Sequence, residues 1–457
     1  MDSVKPSASA ARIVAVAELR HGMFVADLDR PWLGTPFLLQ GFLIEDDEQI
    51  AHLRDLCSFV RIDPARSIGM SFTPPERGSR SPRVRRHLPA FVQEDVQRGR
   101  LDFMAFLRRL LRRGKGDVDD IQVELLAAGR EARALAADGV DVPLELEMLA
   151  GAPAYDGAER AVAQVLSDIR TRSAVDLYQA EVAVHDMVCS VMRNPDALMW
   201  IARLRTGNEK AYQRALDTSV HMMVFGNSMG MREAELELLG LAGLVLDIGC
   251  LHLPAALQDK TGGLSPDEHA EYQKHVGYSI EILNECSQTK PELIAVVRRH
   301  HERIDGSGYP DGLHGDAIGL YGEMAGVVDS YCAMVRQRSH AQAISSQQAL
   351  EILLKERDVR FSANVLDQFV QCVGLYPVGA LVELHTGEVG VVVAQNRVRR
   401  LQPRIMVLLQ ADKQALSYPL MLDLLYEPKA PDGSVYRILR GLPPDAYGID
   451  PQEFYLG

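Results

Sequence analysis

Three features of the 457-residue sequence predict a mainly helical protein, with a small α+β domain at its N-terminal end and a small β module at its C-terminal end. From about residue 155 to 370, apolar residues recur at spacings of three and four, the period of a helix with one buried face. Toward both ends the texture changes to short apolar or alternating runs separated by turn residues, the pattern of strands. At His300-His301-Glu302-Arg303-Ile304-Asp305-Gly306-Ser307-Gly308-Tyr309-Pro310, a helix-compatible stretch runs into glycines and a proline, which end the helix in a tight loop.

In chain order, the first segment (1–65) holds Ile13-Val14-Ala15-Val16, Met23-Phe24-Val25 and Pro31 to Phe37 as short strands. Asp46 to Leu56 reads as one amphipathic helix, with Ile50, Leu53 and Leu56 on one face. The second segment (66–154) opens with a Pro-, Ser- and Arg-rich linker around Pro74-Pro75 and Arg85-Arg86, followed by Arg108-Arg109 and Arg112-Arg113 on a helix. That charge reads as a solvated face rather than a polyanion site. In the third segment (155–374), Ala161 to Ile169, Val175 to Met192 and Ala197 to Leu204 carry helical spacing, and His185-Asp186 within it reads as a surface or packing pair. In the fourth (375–457), Leu381 to Leu384, Glu388 to Val393 and Arg404 to Leu409 read as antiparallel strands split by Thr386-Gly387 and Pro403.

Composition narrows the function. A net charge of −13 argues against nucleic acid as the main partner, because a nucleic-acid binder needs a basic footprint. Six scattered cysteines with no CxxC pair fit reduced thiols in a cytoplasmic setting. No apolar run approaches the length of a membrane span, and the first residues lack the apolar core of a signal peptide, so a soluble protein is expected.

The string His300 to Pro310 resembles the signature loop of the HD-GYP family of bacterial cyclic di-GMP phosphodiesterases, and the resemblance extends over nearly the whole chain, including the small domains at both ends. It implies an HD-superfamily helical bundle, in which His and Asp side chains from several helices gather around divalent metal, Fe or Mn among the options. Residue by residue, Asp247, His275, His300, His301 and Asp329 stand at the family's ligand positions, with Asp247, His300, His301 and Asp305 expected to serve catalysis. Four other positions depart from the pattern: Lys210 for a glutamate, Arg214 for a histidine, Leu246 for the His of the His-Asp pair, and Cys250 for a lysine. Glu323 replaces an arginine. His221, about 10 Å along the helix from Arg214, and His252 read as packed or surface histidines.

By that resemblance one metal position has lost two of its ligands and gained two positive side chains, Arg214 and Lys210. Arg214 would pair with Asp247 and Asp329 in its stead, leaving at most one well-held ion, or none. The resemblance therefore implies a degenerate cyclic di-GMP signalling protein that binds a nucleotide or a partner, with weak or no hydrolysis. The alternatives are a working phosphodiesterase giving pGpG or GMP, and an HD phosphohydrolase acting on another nucleotide. Gly306, Gly308, Tyr309 and Pro310 are intact, and in the family this loop is a proposed docking surface for diguanylate cyclase domains. A homodimer through the helices before residue 215 is a further expectation.

Overall fold

The computed structural model describes residues 12–29, 42–62 apart from 45–46, 67, 118–204 apart from 141, 210–336 apart from 259, 261–262 and 287–288, 343–444 apart from 397–400, and 446–449. The expected strand at Pro31 to Phe37, the Arg-rich linker with Arg108-Arg109 and Arg112-Arg113, and the side chain of Lys210 lie outside the described residues.

The chain divides into two compact units. One carries an antiparallel sheet of order β1-β4-β2-β3, built from β1 (Arg12–Ala15), β2 (Phe24–Leu28), β3 (Phe42–Leu43) and β4 (Phe59–Ile62), with helix α1 (Asp47–Leu56). Val14, Val25, Val60 and Ile62 close one face of the sheet, and Ile50 and Leu53 of α1 pack into it. This is the period-two and period-three-to-four patterning expected of an α+β module.

The larger unit is helical. It contains α3 (Leu144–Thr171), α4 (Tyr178–Arg193), α5 (Pro195–Leu204), α6 (Lys210–Ser228), α7 (Glu233–Val245), α8 (Ala255–Gln258), α9 (Pro266–Gln273), α10 (His275–Glu285), α11 (Pro291–Arg299), α12 (Leu320–Val335), α13 (Ser346–Lys355) and α14 (Ala363–Val373). Helix α2 (Val118–Ala137) precedes them. Helix α3 is longer than its periodic stretch suggests and runs unbroken through residue 155. Helix α4 starts at Tyr178 rather than Val175, because the Asp176 carboxylate accepts the Tyr178 N–H at 2.9 Å and holds the approach in a turn.

Helix α7 is central to the bundle: every residue from Leu239 to Val245 is buried, as befits a helix whose C-terminal half is apolar all round. Helix α6 approaches it closely. A Cβ added at Gly243 would lie 2.5 Å from the Ser219 Cα, so glycine sets how near the two backbones come.

After α14 the chain forms a five-stranded antiparallel sheet of order β8-β7-β6-β5-β9 from β5 (Leu381–Leu384), β6 (Val389–Ala394), β7 (Arg404–Leu409), β8 (Ala415–Asp423) and β9 (Ile438–Leu442). The last two strands are additions to those read from sequence. Val382, Leu384, Val392, Ile405 and Val407 make its core. Trp200 of α5, fully buried, donates its indole N–H to the Val393 carbonyl, and Arg404 reaches Glu145 at 3.3 Å, so the sheet is tied to the helices.

Candidate metal centre

Four side chains from three separate segments meet beside the C-terminal end of α7. Asp247 follows that helix by two residues and opens a 3-10 turn, Ile248–His252. The turn is pinned to α10: the Gly249 N–H donates to Ser279 Oγ at 2.9 Å, and Ser279 Oγ donates to the Leu246 carbonyl at 3.0 Å. A Cβ on Gly249 would fall 2.1 Å from the His275 carbonyl oxygen, so only glycine lets the turn sit this close. The docking carries Asp247 to His275, the first residue of α10. His300 caps the C-terminus of α11, and His301 follows it.

The imidazoles are oriented by backbone. His275 Nδ1 donates to the Tyr272 carbonyl at 2.7 Å and His300 Nδ1 to the Val297 carbonyl at 2.6 Å, each three residues back. With their protons on Nδ1, both rings aim Nε2 lone pairs at Asp247 Oδ1, 3.2 Å from His275 and 3.8 Å from His300. Acceptors facing an acceptor call for a cation between them. Asp247 Oδ1 and the Nε2 atoms of His275, His300 and His301 are all buried without a hydrogen-bond partner. One ligand atom from each of these residues lies within 4.8 Å of the others. Four such orphans converging on one point are unusual in a folded interior, and three imidazoles with one carboxylate suit a divalent transition metal.

The neighbouring position is filled by an arginine. Arg214 of α6 places one nitrogen, Nη2, 2.7 Å from Asp247 Oδ2 and 2.6 Å from Asp329 Oδ1. The sequence reading anticipates this pairing, but with a two-pronged fork; here one nitrogen bridges the two carboxylates. Burial works against the charge on Arg214, yet Asp247 and then Asp329 hold its pKa well above the ordinary value. Burial would raise the Asp247 pKa, but Arg214 foremost and then His275 keep it well below the carboxylate range. His275 is lowered by burial and raised more by Asp247, for a net rise. His301 is pushed well below the usual histidine value by burial and then by His300 and His275, so it stays neutral.

Asp329 thus holds Arg214 and is not among the four converging residues. Asp305 stands apart too: it is exposed, and its carboxylate accepts the Ser307 N–H at 2.9 Å, closing the turn. Glu302 accepts the N–H groups of Asp311 and Leu313 at 2.7 and 2.9 Å and folds the loop. Gly308 is required there, since a Cβ would lie 2.4 Å from the Glu302 Cα. Tyr309 stacks on His301 with ring centroids 4.6 Å apart, so the loop through Gly306, Gly308, Tyr309 and Pro310 is a wall of the centre.

Leu246 is buried and cannot ligate, and burial, then Asp247, raises the Cys250 thiol pKa, leaving that thiol uncharged. His221 donates Nδ1 to the Asp217 carbonyl, and His252 packs edge-on against Tyr278. Glu323 accepts the Ser362 N–H at 3.2 Å. Sequence reasoning passes over Tyr272, whose carbonyl orients His275 and whose ring lies 4.9 Å from it. No spacing in the sequence signals that contact.

Comparison with known proteins finds relatives of the chain along most of its length. The HD domain family profile matches residues 198–365, and a domain of unknown function (DUF3391) matches residues 12–180. Cyclic di-GMP phosphodiesterase PA4108 of Pseudomonas aeruginosa is 30% identical over 400 residues, covering 87% of this chain and 85% of that protein. The 3'3'-cGAMP-specific phosphodiesterase 2 of Vibrio cholerae is 32% identical over 146 residues, 31% of this chain and 27% of that one. Cyclic di-GMP phosphodiesterase response regulator RpfG of Xanthomonas campestris is 29% identical over 184 residues, 39% of this chain and 48% of that one.

Proposed function

This chain belongs to the HD-GYP family, and we propose that it acts in cytoplasmic cyclic di-GMP signalling through a centre that holds one divalent ion, binding its ligand with weak or no hydrolysis. The observation that carries this reading is the pairing of four orphaned ligand atoms with Arg214 on the adjoining carboxylates. Asp247, His275, His300 and His301 would hold the ion, which when bound supplies a Lewis acid for a phosphate oxygen. The chain's own side chains do the rest. Carbonyl partners fix the two imidazoles, Tyr309 closes one wall, and Arg214 adds a second positive group for a phosphate.

A guanidinium cannot clamp attacking and leaving oxygens as a second metal ion does, and Cys250 offers no positive charge to the phosphate. Each missing electrostatic contribution removes about 100- to 1000-fold in rate. The proposal includes the exposed rim of the Asp305–Pro310 loop as a face for a protein partner such as a diguanylate cyclase domain, a homodimer, and the four-part division of the chain at residues 65, 154 and 374.

The likeness to PA4108 favours a second reading, a working phosphodiesterase on cyclic di-GMP, and the likeness to the Vibrio protein extends its substrates to another cyclic dinucleotide. One assay separates the readings. Purified protein with manganese or iron(II) is expected to bind cyclic di-GMP while turning it over at least about 100-fold more slowly than an Arg214→His, Leu246→His double variant. Fast turnover by the unaltered protein, abolished by His300→Ala, would establish the second reading instead.

A further inference from the structure

Away from this centre, on the outer face where α4 packs on α7, a second group of metal-ligating side chains is assembled. His185 and Cys189 are four residues apart on α4, and Glu233 and Glu237 are four apart on α7, so each pair shares one helix face. His185 Nδ1 lies 2.7 Å from Glu237 Oε1 and 3.6 Å from Glu233 Oε1. Its Nε2 lies 3.9 Å from Cys189 Sγ. One ligand atom from each of His185, Cys189 and Glu233 falls within 4.8 Å of the others. The nearby cation on the same helix, Arg193, is engaged elsewhere, paired with the buried Glu147 at 2.8 Å.

We propose that His185, Cys189, Glu233 and Glu237 form a zinc-type site that clamps α4 to α7. The carboxylates of Glu237 and Glu233 face Nδ1 of His185 and the Cys189 thiol faces Nε2, so an ion would take one of the two ring nitrogens, with the ring turned to present it to the thiol and the carboxylates. One imidazole nitrogen, one sulfur and two carboxylate oxygens are a borderline-soft donor set that suits zinc and disfavours calcium and magnesium, which take oxygen. The side chains are accessible, His185 being 52% and Glu233 50% exposed, so an ion enters without unfolding. Binding displaces the thiol proton of Cys189 to solvent, leaving a thiolate on the metal. Helix α7 runs from this clamp to within two residues of Asp247, so the ion would brace the helix that leads to the central carboxylate.

Cobalt(II) reports the sulfur ligand directly. The four converging residues of the central site contain no sulfur, and the thiol beside them is Cys250, so full-length protein stripped of metal is titrated with cobalt in unaltered, Cys189→Ser and Cys250→Ser forms. A thiolate-to-cobalt charge-transfer band is expected in the unaltered and Cys250→Ser proteins and absent from Cys189→Ser. Zinc titration should show one equivalent fewer in His185→Ala, Cys189→Ser double variants. Should Cys189→Ser lose helix content by circular dichroism, the exposed Glu233→Gln variant serves, with zinc affinity falling about tenfold or more. Absence of the band in the unaltered protein, or its persistence in Cys189→Ser, overturns the proposal.

Discussion

His275 and His300 are each fixed by a backbone carbonyl three residues back. His300 donates one nitrogen to the Val297 carbonyl and leaves the other buried and unsatisfied. Replacing it with alanine removes a quarter of the ligand set, and His300→Ala should lower metal affinity by at least about 100-fold, the upper end of what lost outer-shell partners cost. Metal content after dialysis measures this. Arg214 poses the opposite case. In Arg214→Met, Asp247 and Asp329 face each other with no cation between them. Breaking a fully buried pair costs about 3–5 kcal/mol, and the partial exposure of Arg214 reduces that to about 2–3 kcal/mol. Excess manganese should restore much of this loss, since an ion can take the vacated place; denaturant melts with and without metal decide. The sign of the pH effect follows from the depressed Asp247 pKa. A carboxylate held low stabilises the fold above its unfolded value, near pH 4, and loses that contribution only as pH falls through the folded value. Arg214→Met should therefore begin its acid unfolding at a higher pH than the unaltered protein.

At the scale of elements, the centre depends on how closely backbones approach. Helices α6 and α7 meet at Gly243, and a methyl there would press on Ser219. Gly243→Ala should cost about 1–3 kcal/mol by overpacking, which for a unit as large as this one is a fall of roughly 1–4 °C in the midpoint of thermal unfolding. The circular dichroism melt checks it. Where an apolar period ran, helices were legible, as were strands β1, β2, β5, β6 and β7, because period and turn chemistry are local; β3, β4, β8 and β9 went unread. Ile50 and Leu53 marked the face of α1, and Gly387 with Pro403 marked the breaks between β5, β6 and β7. The metal-site positions were legible only through the signature string and its family resemblance, since Asp247 and His301 are far apart in sequence. Two features of the site were not legible either. The Asp305 carboxylate lies next to paired imidazoles in sequence, yet it is spent on the Ser307 N–H in the turn. Tyr272 lies outside every motif and reaches His275 only because α9 breaks at Lys274 and restarts as α10. A helix break of one residue is below the resolution of any hydrophobic period.

For the molecule as a whole, the charge balance sets how an anionic ligand can be held. The chain carries a net −13, so its long-range field repels a cyclic dinucleotide. On the proposed function, affinity for it comes from short-range contacts, the metal and Arg214 foremost, which solvent ions screen far less than distant charges. Two consequences can be measured on the same titration of cyclic di-GMP into manganese-loaded protein. Raising salt from about 50 to about 200 mM should change affinity by less than about threefold or improve it, whereas a surface that binds through many phosphate contacts loses about 1000-fold or more over that range. Removing the metal with a chelator should weaken binding by more than about tenfold, because it leaves Asp247 and three imidazoles as the floor of the site. A steep loss of affinity with salt, with no response to chelation, would move the ligand off the centre and onto the arginine-rich segment between Arg77 and Arg113, and would leave the four converging side chains without a part in recognition.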